Sequence, residues 1–71
     1  MDYRERLLLY LREHRDDIEY RIGLFSSGRA RILETRDGGE LDITADVLVR
    51  LYRQLGEVGA LIQDTAKDPL S

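Results

Sequence analysis

Residues 29–44 read RARILETRDGGELDIT, and the Asp37-Gly38-Gly39 segment within them stands close to the midpoint of the 71-residue chain. Asp-Gly readily supplies the positive φ angles of a tight reversal, and aliphatic or β-branched residues stand on both sides of it. The stretch therefore predicts a two-stranded antiparallel β-hairpin over residues 29–44, with one half of the chain on either side.

Two registers are compatible with this turn. A two-residue loop of Asp37 and Gly38 places Ile32 opposite Ile43, whereas a three-residue loop pairs Leu33 with Ile43. Because an isolated hairpin is only marginally stable in water, we expect the ribbon to lie against one side of the helices in either register.

The first half of the chain has the pattern of an amphipathic helix over about residues 2–26. Asp2 is a good N-cap with Glu5 three places on, and Gly28 is the expected stop. The apolar positions recur at spacings of three, four and seven. They are Leu8, Leu11, Ile18, Ile22 and Phe25.

The second half predicts a helix over about residues 45–64. Thr44 is the expected N-cap, and Asp46 falls in the first turn, where the helix dipole favours an anion. The apolar stripe consists of Leu48, Leu51, Leu55, Val58 and Ile62. Residues 65–71 lose this pattern and contain Pro69, so we expect a flexible C-terminal tail.

These elements predict an α+β fold: a small, mostly helical α-β-β-α domain over residues 1–64, with two long antiparallel amphipathic helices connected by the hairpin. A chain this short buries only about 60% of its unfolded surface and usually needs additional stabilisation from a disulfide, a metal ion or a partner chain. The sequence has no Cys and one His, so disulfides are excluded and a zinc site is disfavoured. Oligomerisation is the remaining common means of stabilisation.

The charge pattern disfavours nucleic-acid and membrane binding. The formal net charge is −3, and acidic and basic residues are mixed evenly along the chain, so no segment concentrates positive charge. Arg29, Arg31 and Arg36 are the candidate weak nucleic-acid contacts, since a β-ribbon can enter a major groove. Pairing with acidic residues across the ribbon is the simpler interpretation.

Catalysis is not indicated by the residues. His14 stands twelve positions before Ser26 on a predicted helix, and no convergent metal-ligand set or phosphate-binding loop is present. We therefore predict a non-enzymatic protein without a cofactor or metal. The absence of Cys, of a long apolar run and of a signal segment favours a cytoplasmic location.

The run Leu7-Leu8-Leu9-Tyr10-Leu11 covers every side of the first helix, because five residues at about 100° each sweep more than a circle. One partner helix and one hairpin cannot cover all of it. We therefore expect a C2 homodimer or other homo-oligomer with a four-helix core, or alternatively a different protein on the same surface. The candidate interface residues are Leu7, Leu8, Leu9, Tyr10, Leu11, Leu51, Leu55, Val58 and Ile62.

The α-β-β-α order, the size and the Asp-Gly hairpin resemble those of small phage head-to-tail joining proteins. The resemblance implies a role in virion assembly, and an inhibitor of host defence is a related alternative, since many such phage proteins are also acidic and compact. The resemblance covers topology only, so it assigns no functional residue.

Overall fold

Two long helices flank a short hairpin in the computed structural model, which describes residues 2–67. Helix α1 spans Tyr3–Ser26, strand β1 Leu33–Arg36, strand β2 Gly39–Asp42 and helix α2 Thr44–Lys67. The predicted α-β-β-α fold class is confirmed.

Both ends of α1 form as the sequence predicts. The Asp2 carboxylate accepts a hydrogen bond from the Glu5 backbone N–H at 2.8 Å, which caps the first turn. After the last helical residue, the Gly28 N–H donates to the Phe25 carbonyl at 3.3 Å. Gly28 has φ +80°, a left-handed conformation that glycine adopts without steric cost, and the helix ends there.

The hairpin adopts the register of the two-residue loop. Arg36 lies opposite Gly39, and the loop residues Asp37 and Gly38 have φ values of 45° and 79°. Positive φ at both central residues is the signature of a type I′ turn, whose twist matches that of the flanking strands. The three-residue alternative is therefore wrong.

Four hydrogen bonds close the base of the hairpin, and three of them involve Thr44, the first residue of α2. The Ile43 N–H donates to the Ile32 carbonyl at 2.9 Å, and the Ile32 N–H donates to the Thr44 hydroxyl oxygen at 2.9 Å. That hydroxyl and the Thr44 N–H both donate to Asp42 Oδ1, at 2.5 and 2.9 Å. Thr44 is thus the first helical residue and not the predicted N-cap. Its hydroxyl oxygen accepts from the N–H of Ile32, the residue before β1, and the Asp42 carboxylate accepts from the Thr44 N–H.

The hairpin extends beyond the helices, so the expectation that it lies against their side is wrong. A 24-residue helix is about 36 Å long, whereas the molecule measures 57 Å along its long axis. All strand residues except Glu34 are exposed. Neither face of the ribbon is fully apolar, because Glu34 lies opposite Leu41 and Asp42 lies opposite Leu33, so packing either face on the helices would bury a carboxylate.

The helices pack antiparallel through their predicted stripes. The buried core consists of Leu11, Ile18, Ile22, Leu51, Val58 and Ile62. At the end remote from the hairpin, the Arg4 Nε donates to the Thr65 carbonyl at 3.0 Å. This contact lies beyond Asp64, the predicted end of α2, and the helix continues to Lys67. Residues 68–71 of the predicted tail lie outside the described part of the chain.

Candidate interaction surface

The packing of the two helices divides the predicted interface residues into three groups. Leu11, Leu51, Val58 and Ile62 are buried between α1 and α2, and Leu7, Leu8 and Leu55 are partly buried against this core. Leu9 and Tyr10 remain exposed, at 49% and 63% of their surfaces. Only a minority of the predicted set is therefore available for contact with another molecule.

Leu9 and Tyr10 point in different directions. At about 100° per residue, Tyr10 lies on one flank of the buried stripe, on the same side as Tyr3 and Leu7, whereas Leu9 lies on the far side of α1. The far side carries charged neighbours, so Leu9 is an isolated apolar residue there. The charged neighbours of Leu9 are Asp2, Arg6, Glu13 and Asp16.

An apolar surface, which we name the tyrosine patch, comprises Tyr3, Leu7, Tyr10 and Leu61. Tyr3, Tyr10 and Leu61 are exposed, and the Tyr10 ring stacks on His14 with 6.1 Å between ring centroids and 11° between planes. The antiparallel packing that joins Arg4 to Thr65 places Leu61 at the level of α1 residues 7–10. Sequence analysis missed Leu61 because its proximity to Tyr10 depends on this register.

A groove lies on the same face at the hairpin end of the helices, and we name it the hairpin groove. Its floor is apolar, and the ion-paired side chains of Asp17 and Arg21, 3.3 Å apart, stand at its rim. Arg21 follows Tyr10 by eleven residues, about three helical turns, so it lies on the same flank of α1. The remaining lining residues are Tyr20, Leu24, Phe25, Ile32, Val47 and Leu51.

Leu61 shares this face for the same reason. It follows Val47, which lines the groove, by fourteen residues, about four turns of α2. One face of the helix pair therefore carries the tyrosine patch at one end and the hairpin groove at the other.

The opposite face of the helix pair has a different composition. On α2 it presents Val49 and Tyr52, both exposed, next to Gly56 and Gly59. The neighbouring flank of α1 is charged, because Glu5, Arg12 and Glu19 stand there at helical spacing. This face is apolar on one helix only.

The hairpin arginines lie among acidic side chains. Arg36 Nε is 2.8 Å from Glu34 Oε1, and Arg31 Nη1 is 3.9 Å from Asp42 Oδ2. The pKa of Asp42 is held below its usual value, first by the hydrogen bond from the Thr44 hydroxyl, then by the Thr44 N–H, and least by the charge of Arg31. These pairs reduce the positive potential that a phosphate backbone would meet.

Residues 2–67 contain no group of three or more His, Asp or Glu side chains placed to hold a metal ion. Neither α1 nor α2 is long and apolar enough to span a bilayer. The chain matches no protein-family profile, no curated protein and no solved structure.

Proposed function

We propose that this protein is a non-enzymatic assembly module that forms a homodimer through the face bearing the tyrosine patch. The observation that carries the proposal is that the chain exposes more surface than a compact monomer of the same mass. The chain exposes 5607 Å², whereas a compact monomer of 8.2 kDa exposes about 4,500 Å². The surplus of roughly 1,100 Å², part of which belongs to the projecting hairpin, is of the same order as the ~800 Å² that each partner contributes to a standard protein interface.

The shape of the molecule supports the same conclusion. Its radius of gyration is 16.4 Å, against about 11 Å for a compact chain of this length. Stable domains normally pack two layers of secondary structure around one core, and the helix pair is a single layer. A second copy laid on one face would supply the missing layer and complete a four-helix bundle.

The exposed apolar side chains distinguish the two faces. On the patch face, both helices contribute apolar side chains at the end remote from the hairpin, namely Tyr10 from α1 and Leu61 from α2. On the opposite face, a second copy resting on Tyr52 would also cover charged residues of α1, including Arg12 and Glu19. The patch face also carries charges, namely the Asp17–Arg21 ion pair on α1 and, by helical spacing, Arg50 and Glu57 on α2. Its advantage is that both helices, and not one alone, offer exposed apolar side chains for burial.

Light scattering behind a sizing column, over a wide concentration range, tests the proposal. We expect the wild-type protein to show about twice the 8.2 kDa mass of the chain. The Tyr10→Glu variant places a carboxylate in the centre of the patch and should weaken dimerisation at least tenfold, while its helical circular dichroism is retained.

Two matched controls make the test specific to one face. Leu9→Glu changes the neighbouring residue on the far side of α1, and Tyr52→Glu makes the same substitution at a tyrosine of similar exposure, 55%, on the opposite face. Both variants should dimerise like the wild type. Dissociation by Tyr52→Glu but not by Tyr10→Glu would place the interface on the opposite face and contradict the proposal. A wild-type monomer at all concentrations would refute self-association.

The other roles stay predictions. A foreign protein on the tyrosine patch, phage assembly, inhibition of host defence and nucleic-acid binding through the hairpin arginines each lack a specific supporting observation. Retention on DNA that depends on salt and is lost in the double variant Arg29→Ala, Arg31→Ala would be needed to support the last of them.

A further inference from the structure

We propose that the twofold axis of the dimer crosses the helices at right angles, so that the tyrosine patch of each copy fills the hairpin groove of the other. This inference rests on the proposed function, because it specifies how the two patch faces meet. The occupant of the groove is thus a second copy of this chain, whose tyrosines complete a site that one chain leaves open.

The positions of patch and groove fit such an axis. The patch centres near Leu7 and the groove near Arg21, about 21 Å apart along α1 at 1.5 Å per residue. The midpoint is His14. A perpendicular twofold axis at that level exchanges the two regions and places Tyr3 of each copy opposite Phe25 of the other.

The chemistry of the groove suits a tyrosine. Its apolar floor, of which Phe25, Val47 and Leu51 are part, accommodates an aromatic ring within a volume of about 430 Å³. The polar rim, formed by Asp17 and Arg21, offers an acceptor and a donor to a phenol hydroxyl. Tyrosine is enriched at interfaces because it combines a large apolar area with a hydroxyl that needs a partner.

The competing arrangement has its twofold axis parallel to the helices. It would stack patch on patch and groove on groove, and place the two hairpins side by side. The perpendicular axis instead sets the exposed tyrosines of each copy into the concave groove of the other, which gives better shape complementarity than patch on patch and groove on groove.

The two arrangements differ in length, which small-angle X-ray scattering measures on the wild-type protein. With the perpendicular axis, the helices overlap over about 36 Å and one hairpin projects from each end, giving a maximum dimension of roughly 75 Å. With the parallel axis, the dimer stays near the 57 Å of one chain.

Disulfide trapping gives an independent readout, because the natural chain has no Cys. Equal amounts of Tyr3→Cys and Leu24→Cys chains are mixed and oxidised, and we expect a disulfide between the two variants. Tyr3→Cys oxidised alone should stay largely uncrosslinked, since the two patches then lie at opposite ends of the dimer.

The outcomes separate this inference from the proposed function. A dimer near 57 Å in length, or efficient crosslinking of Tyr3→Cys with itself, would overturn the perpendicular axis and leave the homodimer intact. A wild-type mass equal to one chain at all concentrations would remove both. A dimer of roughly 75 Å together with the mixed disulfide would establish the arrangement.

Discussion

The helix pair and the hairpin are stabilised in different ways. Between the helices, six apolar side chains are buried and Ile18 is only 2% exposed. In the hairpin, every strand residue but Glu34 is exposed, and the shape is set by the turn and by hydrogen bonds at Thr44. The helix pair is therefore stabilised mainly by apolar burial, whereas the hairpin is stabilised mainly by local hydrogen bonds.

The largest expected effect comes from a substitution in the buried region. Ile18→Ala removes three carbons from the centre of the core and should lower the free energy of unfolding by about 2–5 kcal/mol. Leu33→Ala, at an exposed strand position, should change it by no more than about 0.5 kcal/mol. Urea unfolding followed by circular dichroism measures both.

Both variants need the same protein concentration, because the stability of the proposed dimer would depend on it. Equal losses for Ile18→Ala and Leu33→Ala would contradict the contrast between the two regions. Such a result would indicate that the ribbon also packs against apolar surface.

An intermediate effect is expected at the junction of the two regions. Thr44→Val keeps the side-chain shape but leaves the partly buried Ile32 N–H without its acceptor, a loss of about 1–3 kcal/mol. Amide hydrogen exchange should show faster exchange at Ile32. Thr35→Val, in the exposed strand, is the matched control and should leave both measurements unchanged.

The elements that the sequence predicted well are those controlled by neighbouring residues. Asp37-Gly38 marked the position of the turn, although two registers stayed open, and Asp2 with Glu5 marked the start of α1, because each depends on contacts within a few positions. The placement of the hairpin was predicted wrongly because it depends on what each ribbon face would bury. In the same way, Leu61 joined the patch only through the antiparallel register, so the candidate surface was predicted in part.

The smallest effect concerns the charge of Asp42 at the hairpin base. Because the folded-state pKa of Asp42 is lowered, its carboxylate stabilises the fold above the unfolded pKa of about 3.9. That contribution is lost as the pH falls through the folded-state value. We therefore expect Asp42→Asn to be less stable than the wild type at pH 6, with the difference shrinking steadily below about pH 4.

Comparing the two proteins by urea unfolding at each pH isolates this group, since thirteen of the fourteen acidic residues are common to both. Arg31→Gln should reproduce little of the effect, because the charge of Arg31 contributes least to the shift. A gap between wild type and Asp42→Asn that stays constant from pH 6 to pH 2 would contradict the prediction. The hydrogen bonds from Thr44 would then hold Asp42 equally well in either protonation state, and the hairpin base would be insensitive to charge.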